Sequence, residues 1–341
     1  MVKYIKAYYD NNIIQYKYEF FKRKYKMFQK KRELYRGKEA IVVSGLSDMS
    51  LSDTFLCGQA FRFEETVREG GYVEYMTVVG GTLVFVGQRT PGELIFYGAD
   101  DIEFEEVISP YFDLDTDYGA ILEDILSRTD SRWLMSAAKA GSGIRILKQE
   151  PWETLFSFII SQNNNIPRIR KIIRSISLEY GENLALKKGL SVCPLSKNGE
   201  APSEKLCGSC GACYTFPTAK AVTKEPQKLL PSHPGFRYKY LVDAANRVDS
   251  GETDLSLIYE KKSYEYTLTE LKKILGVGDK VASCAALFGF GNLEAFPIDV
   301  WMKRAIDEYF DGHLDYEALG EYRGVAQQYI FHYIRNLENK S

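Results

Sequence analysis

The strongest constraint on the fold is a change of sequence period near residue 102. Upstream of it, four short runs, FRFEETV, YVEYMTVV, TLVFVGQ and LIFYG, are rich in β-branched and aromatic residues and are separated by EGG, GG and TPG. Glycine-bearing turns between such runs are the pattern of antiparallel hairpins, so residues 40–100 are expected to form an antiparallel sheet. Downstream, ISPYFDLDTDYGAILEDIL and SRWLMSAAKAGSG place apolar residues three and four apart, the spacing of helices that bury one face. PWETLFSFIISQ reads as a buried helix that Pro151 starts, and the asparagine triplet of NNNIPRI breaks it. Helices resume at about Thr218 and run to the end. Strands followed by helices, rather than alternating with them, make an α+β fold: an N-terminal antiparallel sheet domain followed by a helical body. The expected divisions are an extension over 1–38, a sheet-plus-helices domain over 39–145 and a helical domain over 146–338 with an insertion at 184–216.

The chain has 341 residues, 45% of them hydrophobic, enough for a large core. No apolar run reaches the roughly 18 residues of a membrane span, so no membrane partner is expected. The N-terminus has neither the apolar core nor the cleavage site of a secretory signal, which predicts an intracellular protein. The net charge of −2 conceals an asymmetry: residues 1–38 carry +9 and the remainder −11. A basic, aromatic-rich arm is suited to a nucleic-acid backbone; a solvated extension is the alternative. Net charge alone does not mark a nucleic-acid binder.

The stretch LGVGDKVASC, Leu275 to Cys284, raises a sharper question, because it sends a lysine into the start of an apolar helix. Gly276 and Gly278 suit a tight hairpin between the helices YTLTELKKI and KVASCAALFGF. Such a hairpin either aims backbone N–H groups at a phosphate or is a plain helical hairpin. At Lys280 the helix dipole and burial both disfavour a cation and favour the neutral, nucleophilic amine; the alternative is a lysine that reaches the surface or binds phosphate directly. Cys284 lies on the same helix face. In FPIDVWMKR, Asp299 is placed to cap the next helix. A carboxylate fixed there could also offset positive charge developing on a sugar ring.

These residues, LGVGDKVASCAALFGF…AFPIDVWMKR, resemble the helix–hairpin–helix and Asp motif of a DNA glycosylase superfamily. LKQEPWETLFSFIISQNNNIPRI, LCGQAFRF and YRGVAQQYIFHY narrow the resemblance to the 8-oxoguanine DNA glycosylase/AP lyase family, over about residues 45–337. The resemblance implies that Lys280 attacks the sugar and Asp299 assists, with excision through a Schiff base and β-elimination. It implies a base pocket made of Gly58, Gln327, Phe331 and Cys284, the Gly58 carbonyl accepting the N7 hydrogen that oxidation adds to guanine. On the DNA side it assigns Asn163 to the space left by the flipped base and Arg168 and Arg237 to the orphaned cytosine. Phe236 is the wedging aromatic, and Gly276 and Gly278 form the phosphate-binding hairpin. Trp301 stands where animal members carry a histidine near a lesion phosphate. The implied partner is double-stranded DNA with 8-oxoguanine opposite cytosine, bound by a monomer, with no cofactor needed for catalysis. A reader of damaged DNA without catalysis, or a glycosylase for another oxidised or alkylated base, are the other readings.

The insertion lies outside the resemblance. Cys193, Cys207, Cys210 and Cys213 follow a C-x13-C-x2-C-x2-C pattern. In a chain without a secretion signal, that suggests a metal before disulfides. Structural zinc on four thiolates is the first reading, an iron–sulfur cluster the second and free thiols the third.

Overall fold

In the computed structural model, which describes residues 28–196, 199–203, 206–207 and 210–338, the upstream runs pair as expected. The strands are β1 (Gln29–Tyr35), β2 (Lys38–Ser44), β3 (Phe63–Glu69), β4 (Tyr72–Val79), β5 (Thr82–Gln88) and β6 (Glu93–Tyr97). They form one antiparallel sheet in the order β1-β2-β6-β5-β4-β3.

The sheet begins earlier than the sequence suggests. β1 lies within the expected extension, and its hairpin with β2 crosses the boundary drawn at residue 38. Its sequence, QKKRELY, hides the strand because an edge strand tolerates charges on its open side. Those charges are used internally. Lys30 pairs with Asp101 at 3.0 Å and Glu105 at 2.7 Å, and Arg32 pairs with Asp101 at 3.1 Å. The nucleic-acid reading of residues 1–27 lies outside the described residues.

Alternation along β4 explains why all eight of its residues are buried. Val73, Tyr75 and Val79 face a core shared with Phe55, Phe63, Phe96 and Phe112. Met76 and Val78 face the other way, where Leu83, Leu184, Ala185, Cys207 and Cys213 cover them. The insertion at 184–216 is therefore a cap on the second face of the sheet.

The helical body comprises α1 (Leu51–Leu56), α2 (Tyr118–Ser127), α3 (Arg132–Gly141), α4 (Pro151–Ser161), α5 (Ile166–Tyr180) and α6 (Ala219–Lys224). It continues with α7 (Tyr238–Asp249), α8 (Leu255–Lys261), α9 (Tyr264–Leu271), α10 (Asp279–Gly289), α11 (Val300–Tyr309) and α12 (Arg323–Glu338). Pro151 opens α4 as expected, and the Glu150 carboxylate caps it by accepting the Glu153 N–H at 2.6 Å. Ile121, Ile125, Leu134 and Ala138 of α2 and α3 join the core of α4, α10 and α12. The helices assigned to the first domain thus pack with the second, because their apolar faces complete the helical core rather than the sheet.

Buried polar groups fasten the sheet to this body. The Gln59 side chain, fully enclosed, donates to the Thr54 and Arg145 carbonyls at 2.8 Å each and accepts the Leu147 N–H at 2.8 Å. Arg145 donates to the carbonyls of Asp113 at 3.0 Å and Thr116 at 3.1 Å, with its guanidinium over the Tyr118 ring. Arg62 pairs with Glu153 at 2.8 Å. Among the described residues, no helix is long and apolar enough to cross a membrane.

Candidate active site

The hairpin joining α9 to α10 is set by one glycine rather than two. Gly276 has φ +77°, and a Cβ there would stand 2.5 Å from the Tyr240 ring, so no other residue fits without displacing α7. Gly278 has φ −100° and open space where its Cβ would be. It needs no special conformation, and the absence of a side chain leaves the start of α10 uncovered. Gly278 is the N-cap of α10 without a side-chain cap, so amides of the first turn are available to an anion. α7 anchors the hairpin from below, where the Asp243 carboxylate accepts the Leu275 N–H at 2.7 Å.

Lys280, in the first turn of α10, is half-buried rather than enclosed. Its ammonium donates to Ser161 Oγ at 3.1 Å and lies 5.1 Å from the centre of the Phe158 ring. Ser161 in turn donates to the Phe158 carbonyl at 2.8 Å, so its oxygen is turned to receive the lysine. Ser161 and Phe158 were missed in the sequence because they act from the end of α4, 119 residues away.

Asp299 caps α11 as expected, its Oδ1 accepting the Trp301 N–H at 3.0 Å and the Met302 N–H at 2.9 Å. One oxygen takes both bonds, which fixes the carboxylate and leaves the second oxygen out of the cap. Cys284 connects the two groups. Burial pushes its thiol up to about 11, while the Lys280 charge draws it down and Asp299 raises it. Lys280 and Asp299 thus both act on Cys284, whose buried thiol stays in its neutral form. Trp301, half-buried, packs against the helical core.

The residues assigned to the base pocket come from distant segments. Gly58, with φ +85°, lies against α12, where an added Cβ would stand 3.2 Å from Phe331 Cε1. Gln327, one helical turn before Phe331, is buried and donates to the Pro297 carbonyl at 3.1 Å. That bond ties α12 to the loop carrying Asp299. The Gln327 oxygen accepts from Gln328 at 2.7 Å, so its amide is already engaged on both sides.

The asparagine triplet forms the expected break. Asn163 is exposed at φ +48°, and Asn165 caps α5. Arg237 is buried and uses its guanidinium on this turn, donating to the Gln162 carbonyl and, at 3.0 Å, to the Asn163 carbonyl. Burial first, and the nearby Arg168 charge second, pull Arg237 below its ordinary value. Arg168 is exposed, and so is Phe236, which lies against Tyr240. The residues assigned to DNA therefore gather around one edge, but Arg237 is committed to holding the turn rather than projecting freely.

The four insertion cysteines form no disulfide and lie in one region. Cys193, Cys207 and Cys213 are buried and Cys210 half-buried. Burial pushes Cys213 up to about 12, and the other three thiols add to the shift. Among the described residues, no group of three or more His, Cys, Asp or Glu side chains is arranged to hold a metal ion.

Fold and site together define a helix–hairpin–helix protein that sets a lysine at the start of one helix and a carboxylate at the cap of the next, beside an anion-ready hairpin. Residues 41–155 match the family described as 8-oxoguanine DNA glycosylase, N-terminal domain. The Saccharomyces cerevisiae N-glycosylase/DNA lyase is 27% identical over 283 residues, covering 76% of this chain and 67% of the relative. The Arabidopsis thaliana N-glycosylase/DNA lyase OGG1 is 25% identical over 309 residues, covering 84% and 77%. Among solved structures, the Clostridium acetobutylicum 8-oxoguanine glycosylase/lyase in complex with double-stranded DNA containing cytosine opposite 8-oxoguanine superposes with a TM-score of 0.73. It has 32% identity, over 92% of this chain and 99% of that one. The chain belongs to the 8-oxoguanine DNA glycosylase family.

Proposed function

We propose that this protein is a bifunctional DNA glycosylase and abasic-site lyase that removes 8-oxoguanine from duplex DNA in base excision repair. The observation that carries the reading is Lys280 in the first turn of α10, donating to Ser161 Oγ at 3.1 Å, together with the Asp299 carboxylate fixed at the cap of the next helix. A damaged-DNA reader would need the hairpin and the pocket but not that pairing.

In this reading the base must leave the stack before the sugar can be reached. Asn163 fills the vacated space, and Phe236 presses beside it. Arg168 faces the orphaned cytosine, with Arg237 supporting Asn163. The flipped base lies between Phe331 and Cys284, with Gln327 on its Watson–Crick edge, its amide reorganising to meet it. The Gly58 carbonyl accepts the N7 hydrogen. Normal guanine has an acceptor at N7 and leaves that carbonyl unpaired, which disfavours it. The Lys280 amine bonds to C1′ as the bond from C1′ to the base breaks, and the base departs with the electron pair. Asp299 offsets the positive charge on the sugar and takes up the lysine proton. The bond from C1′ to the ring oxygen then breaks, the oxygen taking a proton as the nitrogen lone pair closes the Schiff base; this acidifies C2′, and loss of the C2′ proton expels the 3′ phosphate. The chemistry needs an amine and a carboxylate and no cofactor. Excision rates from duplexes with each base opposite 8-oxoguanine test the reading. Excision highest opposite cytosine is expected, and activity only on another lesion would overturn the choice of base.

The insertion is a separate matter. A zinc ion on Cys193, Cys207, Cys210 and Cys213 would staple the cap to itself. The C-x13-C-x2-C-x2-C spacing supports it; the side chains would have to converge on binding. About one zinc per chain is expected by elemental analysis of purified protein. Absence of both zinc and iron would refute a metal here.

A further inference from the structure

Arg335 lies two turns beyond Gln327 on the same face of α12 and has no part in the chemistry described above. Its guanidinium sits 5.3 Å from the centre of the Phe331 ring. Its Nη1 donates to the Leu56 carbonyl at 3.3 Å and lies 3.8 Å from where a Cβ on Gly58 would be. Ring, guanidinium and Gly58 therefore pack on one another. The loop between α1 and β3 is held just after Gly58 by the enclosed Gln59 side chain. At its near end the carbonyl of Leu56 is held by Arg335. A second tie runs alongside, His332 facing Asp53 of α1 at 3.6 Å.

We infer that Arg335 is a positioning residue for lesion recognition, fixing the Gly58 loop relative to the Phe331 ring. The inference rests on the pocket roles of Gly58 and Phe331 given under Proposed function. The two selectors must act at right angles on one base, the ring on its face and the carbonyl on its edge. They come from segments 273 residues apart in number and meet through this contact. An error of about 1 Å between them is enough to cost roughly a hundredfold in rate. A planar guanidinium suits the task, because it can stack on the ring while donating in its own plane to the carbonyl.

Two activities of one protein separate this role from general damage. Excision of the base needs the pocket, whereas strand cleavage at a preformed abasic site needs Lys280 but no base. In Arg335→Ala, excision of 8-oxoguanine should fall about tenfold or more, and the preference for 8-oxoguanine over guanine should narrow. Cleavage of abasic DNA should stay within about twofold of wild type. Arg335→Lys keeps the charge without the plane and should recover excision only in part. Amide hydrogen exchange over residues 55–60 should quicken in the alanine variant. Equal loss of both activities, or unchanged excision, or unchanged exchange across the loop, would each overturn the proposal. A wild-type protein that cleaves abasic DNA but excises no 8-oxoguanine would refute the pocket reading itself, and the proposal with it.

Discussion

At the residue scale, most of the site performs a structural duty as well as its proposed chemical one, and substitutions can part the two. Asp299 caps α11 through a single oxygen. Asp299→Asn keeps that acceptor, so thermal stability should change little while excision falls by about a hundredfold or more. Asp299→Ala should lose the same activity and about 1 kcal/mol of stability besides. Comparing melting curves with single-turnover rates checks the separation; equal stability loss in both variants would contradict it. The sequence showed Asp299, Lys280 and Cys284 because they sit in short motifs with local spacing. It could not show Ser161 and Phe158, which reach Lys280 from another helix, nor that Arg237 is spent on the Gln162 and Asn163 carbonyls. Those are facts of packing, and no local pattern encodes them.

At the scale of elements, the hairpin and the start of α4 make distinct predictions. Gly276→Ala must force a Cβ against the Tyr240 ring at a positive φ, so it should destabilise the fold by about 1–3 kcal/mol. Gly278→Ala meets open space at an ordinary φ. It should leave stability within about 0.5 kcal/mol yet weaken binding to undamaged DNA, because the methyl group stands where a phosphate would approach. Urea unfolding and a filter-binding series distinguish the two. At the start of α4, burial pushes the Glu150 carboxyl up to about 7. A carboxyl raised in the folded state favours folding while protonated, so its contribution is full at low pH and is lost as pH rises to about 7. The stability of wild type relative to Glu150→Gln should therefore fall between about pH 4.5 and 7 and level off above. A flat difference across that window would contradict it. Helix positions were legible from apolar spacing and the Pro151 signal. β1 was not, because an edge strand carrying KKR has no alternating apolar face to betray it.

At the scale of the whole molecule, the sheet is a platform with two covered faces. The helical body approaches one side through Gln59, Arg145 and Arg62, and the cysteine insertion shields Met76 and Val78 on the other. Replacing the insertion with a short linker should expose that apolar strip and lower the melting temperature. The hairpin and Lys280 should be untouched, since the described cap residues pack on Met76, Val78 and Leu83 of the sheet. A drop in melting temperature with unimpaired cleavage of abasic DNA is the expected pair of results. The order of the fold, sheet first and helices after, was readable from the change of period near residue 102. The division of the core was not, because α2 and α3 follow the sheet in sequence but complete the helical core in space. The central claim is that Lys280 is the nucleophile of a base-excising enzyme, and borohydride reduction during reaction with an 8-oxoguanine·cytosine duplex tests it most directly. Wild-type protein should become covalently joined to the DNA and Lys280→Gln should not; a trapped complex of undiminished yield from that variant would contradict the account.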